Sequence, residues 1–116
     1  LNQSKNKQLS FYQLKKKLIR KNMFSKVQLV KGDVLSTLKK TKLKKLSYVL
    51  LDLDIYEPTK YVLNYIWPKM QKKGIILLDN YNVFDGETKA VDEFTRSNKI
   101  KIRKKKFFRN FYFLKK

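Results

Sequence analysis

The chain has 116 residues, 42% of them hydrophobic and 14% aromatic, with 29 basic and nine acidic side chains and a formal net charge of +20. That length and apolar content fit one domain, residues 1–116, with a real but small core. The absence of cysteine excludes a disulfide framework and a thiolate metal site, and the absence of histidine removes the commonest general base and zinc ligand, which leaves carboxylates, lysines, tyrosines or a hard cation to carry any chemistry.

In chain order, Leu9, Phe11 or Tyr12, Leu14, Leu18, Ile19 and Phe24 recur at steps of three and four among lysines. This predicts an amphipathic helix over about residues 7–22 with a buried face. Val27, Gln28, Leu29 and Val30 alternate as a strand stopped by Gly32, and a short helix over residues 34–39 follows, which Asp33 could cap. Residues 48–53 are apolar on both faces, the pattern of a central parallel strand covered by helices on each side.

Glu57, Pro58 and Thr59 begin the next helix, because proline suits a first turn and an acid there suits the helix dipole. Pro68 must kink or end it near Trp67, and Lys72, Lys73 and Gly74 close it. Residues 75–78 form a second two-sided apolar strand, so strand, helix and strand make a right-handed parallel crossover unit. After a polar loop over residues 80–86, a helix over residues 88–97 carries Ala90, Val91 and Phe94 on one face. Residues 100–102 and 107–114 read as an antiparallel pair at the sheet edge. The fold class is α/β.

Among only nine acids, Asp52, Asp54 and Glu57 fall at the carboxyl end of one predicted strand and Asp79 at the carboxyl end of the next. In an open parallel sheet, ligands bind in the crevice beyond those strand ends, so neighbouring strands would deliver the acids to one place. Close carboxylates repel unless a cation or proton sits between them. With the side-chain oxygen of Asn80 they make an all-oxygen set, the preference of magnesium, manganese or calcium. The plainer reading is that each acid caps the helix or loop after it, and it weighs most for Asp33, Asp54 and Glu57. Tyr56, Trp67 and Tyr81 read as packing residues.

Linked at matching spacing, several motifs give a family resemblance. They are the run from Leu51 through Asp52, Leu53, Asp54, Ile55, Tyr56, Glu57, Pro58 and Thr59 to Lys60, then Trp67-Pro68, then Lys73-Gly74 leading through the second strand to Asp79-Asn80-Tyr81. Together with Lys31-Gly32-Asp33 and the segment from Glu87 to Phe94, they resemble the signature of the macrocin O-methyltransferase family from near residue 5 to the chain end. The Asp79-Asn80 pair is also similar to catechol O-methyltransferase, where the sugar-modifying relatives more often carry two aspartates.

The resemblance implies a Rossmann-like methyltransferase sheet, mostly parallel with an antiparallel edge pair at the carboxyl end. It implies an enzyme that uses S-adenosylmethionine and Mg2+ or another divalent cation to methylate a hydroxyl of a sugar or similar small molecule; a cytoplasmic location is the default expected from the sequence itself, which shows no secretory signal or membrane run. Asp52, Asp79 and Asn80 match the metal positions, Asp52 or Asp54 the base, and Gly32 and Asp33 the cofactor turn. It also implies that the first two strands, which carry the glycine-rich cofactor turn and the ribose-binding acid, are absent from these 116 residues. They would lie between strand 27–30 and strand 48–53, so the chain alone is expected to bind cofactor poorly, to expose unpaired strand edges and to aggregate. Association as a homo-oligomer is compatible with this reading.

No apolar run approaches the roughly 20 residues of a membrane helix, and the first residues carry no apolar stretch of a secretory signal. The charge admits a second class of function, a nucleic-acid binder using Lys101 to Lys106 with Phe107, Phe108, Phe111 and Tyr112 as stacking surfaces. With only four arginines among 29 basic residues, lysine excess reads first as residue bias, and polyanion binding as weak and non-specific. A third reading is a catalytically inactive methyltransferase-like fragment.

Overall fold

The computed structural model describes residues 9–106 and 109–116. The chain divides into two compact units, one reaching to Asp33 and one running from Val34 to Lys116.

In the first unit, helix α1 (Phe11–Arg20) starts at Ser10, whose hydroxyl accepts from the Gln13 amide while the Gln13 side chain accepts from the Ser10 amide. This reciprocal cap satisfies two donors that a helix start leaves open. Lys7 and Gln8, where the sequence pattern began the helix, lie outside the described residues. The expected buried face does not form, for α1 buries none of its residues and Tyr12 and Ile19 are more than half exposed. A single turn at Phe24–Lys26 follows. Residues 27–30 pair with no described strand, which corrects the strand expected there: an extended segment becomes a strand only when a neighbour takes its hydrogen bonds.

The second unit opens with the short helix α2 (Val34–Thr37) and a turn at Leu38–Lys40. Strand β1 (Leu46–Leu51), helix α3 (Tyr56–Ile66), strand β2 (Met70–Leu78), helix α4 (Asp85–Ser97) and strands β3 (Arg103–Lys104) and β4 (Phe111–Leu114) complete it. The described sheet runs in the order β1-β2-β4-β3, with β1 parallel to β2 and β4 antiparallel to both β2 and β3. The α/β class and the antiparallel terminal pair stand. That pair uses Arg103–Lys104 rather than residues 100–102, whose Ile100 and Ile102 pack against the core instead.

One sheet face makes the core. Leu51, Ile76, Leu78 and Phe113 are buried against Val62, Leu63 and Ile66 of α3 and Val91 and Phe94 of α4. Trp67 meets Phe94 edge-on at 5.4 Å, and Phe113 tilts against both rings at 6.0 Å. The other face is open, with Tyr48 56% and Leu50 52% exposed. Among the described residues β1 has a strand neighbour on one side only, the unpaired edge expected for residues 48–53, and its second face lacks the helix cover that the two-sided apolar run suggested.

α3 ends at Ile66, and Pro68 sits in the turn Trp67–Lys69, as the proline required. Residues 72–74 do not close that helix but lie within β2, where the register against β1 slips between Leu46 and Tyr48 and Lys73 adopts a φ of 65°. Lys73 and Gly74 exchange backbone hydrogen bonds with Lys115 at 2.7 and 2.9 Å. A Cβ on Gly74 would stand 2.9 Å from the Gln71 carbonyl oxygen, so glycine serves close packing here rather than helix termination.

Candidate active site

β1 and β2 end side by side. Leu51 pairs with Leu78, and the Asp79 amide donates to the Leu51 carbonyl at 3.0 Å, so Asp52 and Asp79 leave the sheet from adjacent strands at the same level. After Asp52 the chain makes a tight turn in which the Ile55 amide donates to the Leu53 carbonyl at 2.7 Å around Asp54, whose φ is 62°. A three-residue turn with positive φ is a strained conformation that aspartate tolerates better than most side chains. It turns the chain into α3 and keeps the Asp54 carboxylate at the strand end.

Asn80 joins the group. Its side-chain amide donates to Asp52 Oδ1 at 3.0 Å and, at shorter range, to Asp54 Oδ1. Asn110, which precedes β4 and so lies beside the end of β2, donates to Asp79 Oδ1 at 3.4 Å. Burial raises the Asp52 pKa, the charges of Asp79 and Asp54 add to it, and the Asn80 amide opposes them. Four of the expected site residues, Asp52, Asp54, Asp79 and Asn80, thus meet at one place. Gly32 and Asp33 belong to the first unit, where Gly32 has a φ of 128°, a region that favours glycine.

Sequence reasoning missed a buried acid, Glu87. Glu87, in the first turn of α4, is fully buried, and among the described residues neither carboxylate oxygen has a hydrogen-bond partner. Burial pushes its pKa up to about 7, and the charges of Asp54, Asp52 and Asp79 push the same way. The Asn80 backbone amide pulls it down without closing a regular hydrogen bond. Glu87 sits three, four and seven residues before Ala90, Val91 and Phe94, which is the helix's buried face. That spacing was available in the sequence, but the helix was expected to start one residue too late to include it.

Tyr56, Trp67 and Tyr81 hold packing positions. The Tyr81 hydroxyl donates to Asp92 at 2.6 Å and its ring meets Phe111 edge-on at 5.0 Å, and burial first, then Asp92, raise its pKa to about 12. The Tyr56 hydroxyl donates to Glu93 at 2.6 Å beneath the ammonium groups of Lys60 and Lys89. Of the aromatics proposed to stack on nucleic acid, Phe107 and Phe108 lie outside the described residues, and Phe111 is engaged by Tyr81 and Lys104.

The donor chemistry suits a hard cation, since the Asp52, Asp54 and Asp79 carboxylates offer only oxygen and the Asn80 amide, turned over, presents its own oxygen at the same point. As it stands, the amide N–H group bridges the carboxylates, and among the described residues no set of three or more acids is arranged around a metal position. No helix among the described residues is long and apolar enough to cross a membrane.

Residues 6–108 match the macrocin-O-methyltransferase (TylF) family. No curated protein sequence is significantly similar to the chain. Among solved structures, the apo form of CalS11, a TDP-rhamnose 3'-O-methyltransferase of calicheamicin biosynthesis, is 28% identical over 79% of this chain and 44% of its own, with a TM-score of 0.66. A second CalS11 structure is 27% identical over 79% of this chain and 40% of its own, with a TM-score of 0.65. The O-methyltransferase NovP shares the fold at 24% identity over 85% of this chain and 44% of its own, with a TM-score of 0.66. The chain therefore spans less than half the length of these three solved structures.

Proposed function

Because the chain belongs to the macrocin-O-methyltransferase family, we propose that it forms part of an S-adenosylmethionine-dependent O-methyltransferase acting on a hydroxyl of a sugar or similar small molecule. A divalent cation, magnesium first, would be held by Asp52, Asp79 and Asn80. The observation that carries this reading is the meeting of Asp52, Asp54, Asp79 and Asn80 where two parallel strands end. The TDP-rhamnose substrate of CalS11 supports the sugar class.

When bound, the cation would lower the pKa of the acceptor hydroxyl and S-adenosylmethionine would supply the methyl group. The chain's own part is to orient the acceptor and remove its proton. Asp52 or Asp54 is the base in this reading, since both carboxylates stand at the end of β1 and share the Asn80 amide. Asp54, fixed by its turn and its bond to Asn80, orients the amide. Gly32 and Asp33 are assigned to the cofactor: the glycine conformation lets backbone approach a ligand closely, and the aspartate offers a hydrogen-bond acceptor.

Calorimetric titration of a TDP-deoxysugar into the chain, with and without Mg2+, tests the reading. Binding that requires Mg2+ and disappears in the Asp52→Ala, Asp79→Ala double variant is expected. Sugar binding indifferent to Mg2+, or retained by the double variant, would contradict it.

A further inference from the structure

The aspartates gather at one end of β2, and the other end carries the opposite charge. Ile75 pairs with Leu114 and Leu78 with Phe111, so Lys73 and Lys115 lie at the far end of the strand from Asp79, roughly 20 Å away at about 3.3 Å per residue. A cavity of about 540 Å³ opens there. Seven of its eleven lining residues are lysine or arginine, and none is aspartate or glutamate. A lysine-rich composition alone does not segregate charge in this way, because two hollows along α4 mix their cations with Asp85, Asp92 and Glu93.

The cations sit on fixed backbone. Lys73, at a φ of 65°, donates its amide to the Lys115 carbonyl at 2.7 Å. Lys99, at a φ of 54°, closes α4, its amide donating to the Arg96 carbonyl at 3.2 Å and the Ile100 amide to the Thr95 carbonyl at 2.8 Å. Left-handed backbone is strained for lysine and persists where the surrounding structure determines it. The Lys115 ammonium donates to the Trp67 carbonyl at 2.8 Å and lies 4.2 Å over the Trp67 ring, which leaves Lys72, Lys73, Lys99, Lys101 and Arg103 for a ligand. We propose that this cavity binds the phosphate chain of a small polyphosphate anion. Its volume is that of a small-ligand site, and ammonium and guanidinium groups are the natural partners of phosphate oxygens. Single-stranded nucleic acid fits less well, because Trp67 is covered by Lys115 and met edge-on by Phe94, and so offers no free platform on which a base could stack.

The test is calorimetric titration of inorganic tripolyphosphate into the chain in metal-free buffer at fixed ionic strength. Two variants are compared, each losing three exposed positive charges: Lys72→Gln, Lys99→Gln, Lys101→Gln at the cavity, and Lys39→Gln, Lys40→Gln, Lys42→Gln away from it. The parent should bind one tripolyphosphate, the cavity variant should bind it roughly tenfold more weakly, and the second variant should stay within about twofold of the parent. The double variant Lys72→Gln, Lys101→Gln, which leaves the left-handed Lys99 in place, should show a smaller loss in the same direction and serves if the triple variant does not fold. ATP titrated in parallel separates the sources of the phosphate chain: binding no tighter than tripolyphosphate assigns the free anion, and tighter binding assigns a nucleotide. Equal weakening in the two triple variants would overturn the proposal in favour of net charge alone. No saturable binding of tripolyphosphate by the parent would overturn it as well, and a cavity-dependent affinity for oligothymidylate in its place would assign the surface to nucleic acid.

Discussion

Asp52 and Asp79 stand next to each other because Leu51 and Leu78 are register partners, and the Asp79 amide closes the last rung of the β1–β2 ladder on the Leu51 carbonyl. Their proximity is a property of the sheet, so the repulsion between them is built into the fold and persists until a cation or proton relieves it.

One consequence is a gain in metal-free stability on removing a charge. Asp79→Asn should raise the melting temperature of the cation-free chain at neutral pH by about 1–3 °C, since exposed like charges contribute modestly. Differential scanning calorimetry in a chelator reads this directly. A lower melting temperature would mean that the Asp79 carboxylate is needed for the bond from Asn110 more than it repels Asp52.

Glu87 gives the stability a pH dependence of definite sign. Its pKa is raised, so between the ordinary carboxylate range and about pH 7 the folded chain keeps a proton that the unfolded chain has released. Stability therefore falls as pH rises through that window. Burial is the main cause, the charges of Asp54, Asp52 and Asp79 act in the same direction, and the Asn80 backbone amide opposes them. Urea midpoints should decline between about pH 5 and pH 7.5 in the parent chain, and the slope should flatten in Glu87→Gln.

Gly86→Ala should destabilise by about 1–3 kcal/mol, because the added methyl would meet backbone atoms of Ile55 and Tyr56 that cannot turn aside as a side chain can. Urea denaturation reads this loss.

Phe113→Ala should cost about 3–5 kcal/mol, enough to unfold a small marginal unit, since the ring is fully buried between Trp67 and Phe94. Circular dichroism at room temperature would report the loss. A cooperative melt close to that of the parent would show that the aromatic trio is not the centre of this core.

The strand ends and their acids were legible in the sequence because residues 75–78 form a dense apolar run and the runs either side of it stop at charged residues. What the pattern could not show was coverage. A run that is apolar on both faces looks covered on both, yet one face of β1 is open in the described sheet, with Tyr48 and Leu50 exposed. Alternation in residues 27–30 likewise cannot supply the neighbour that makes a strand. Glu87 was hidden by a helix start misjudged by three residues, because Gly86 looked like loop and is instead a packing contact. Asn110 needed the β2–β4 register, which no local pattern encodes.

The most direct test of the central claim is calorimetric titration of Mg2+ into the 116-residue chain and into its Asp52→Ala, Asp79→Ala variant. The account requires one Mg2+ bound by the parent chain and none by the variant. Equal heats in the two proteins, or no binding by the parent, would contradict a cation site formed by these acids in this chain.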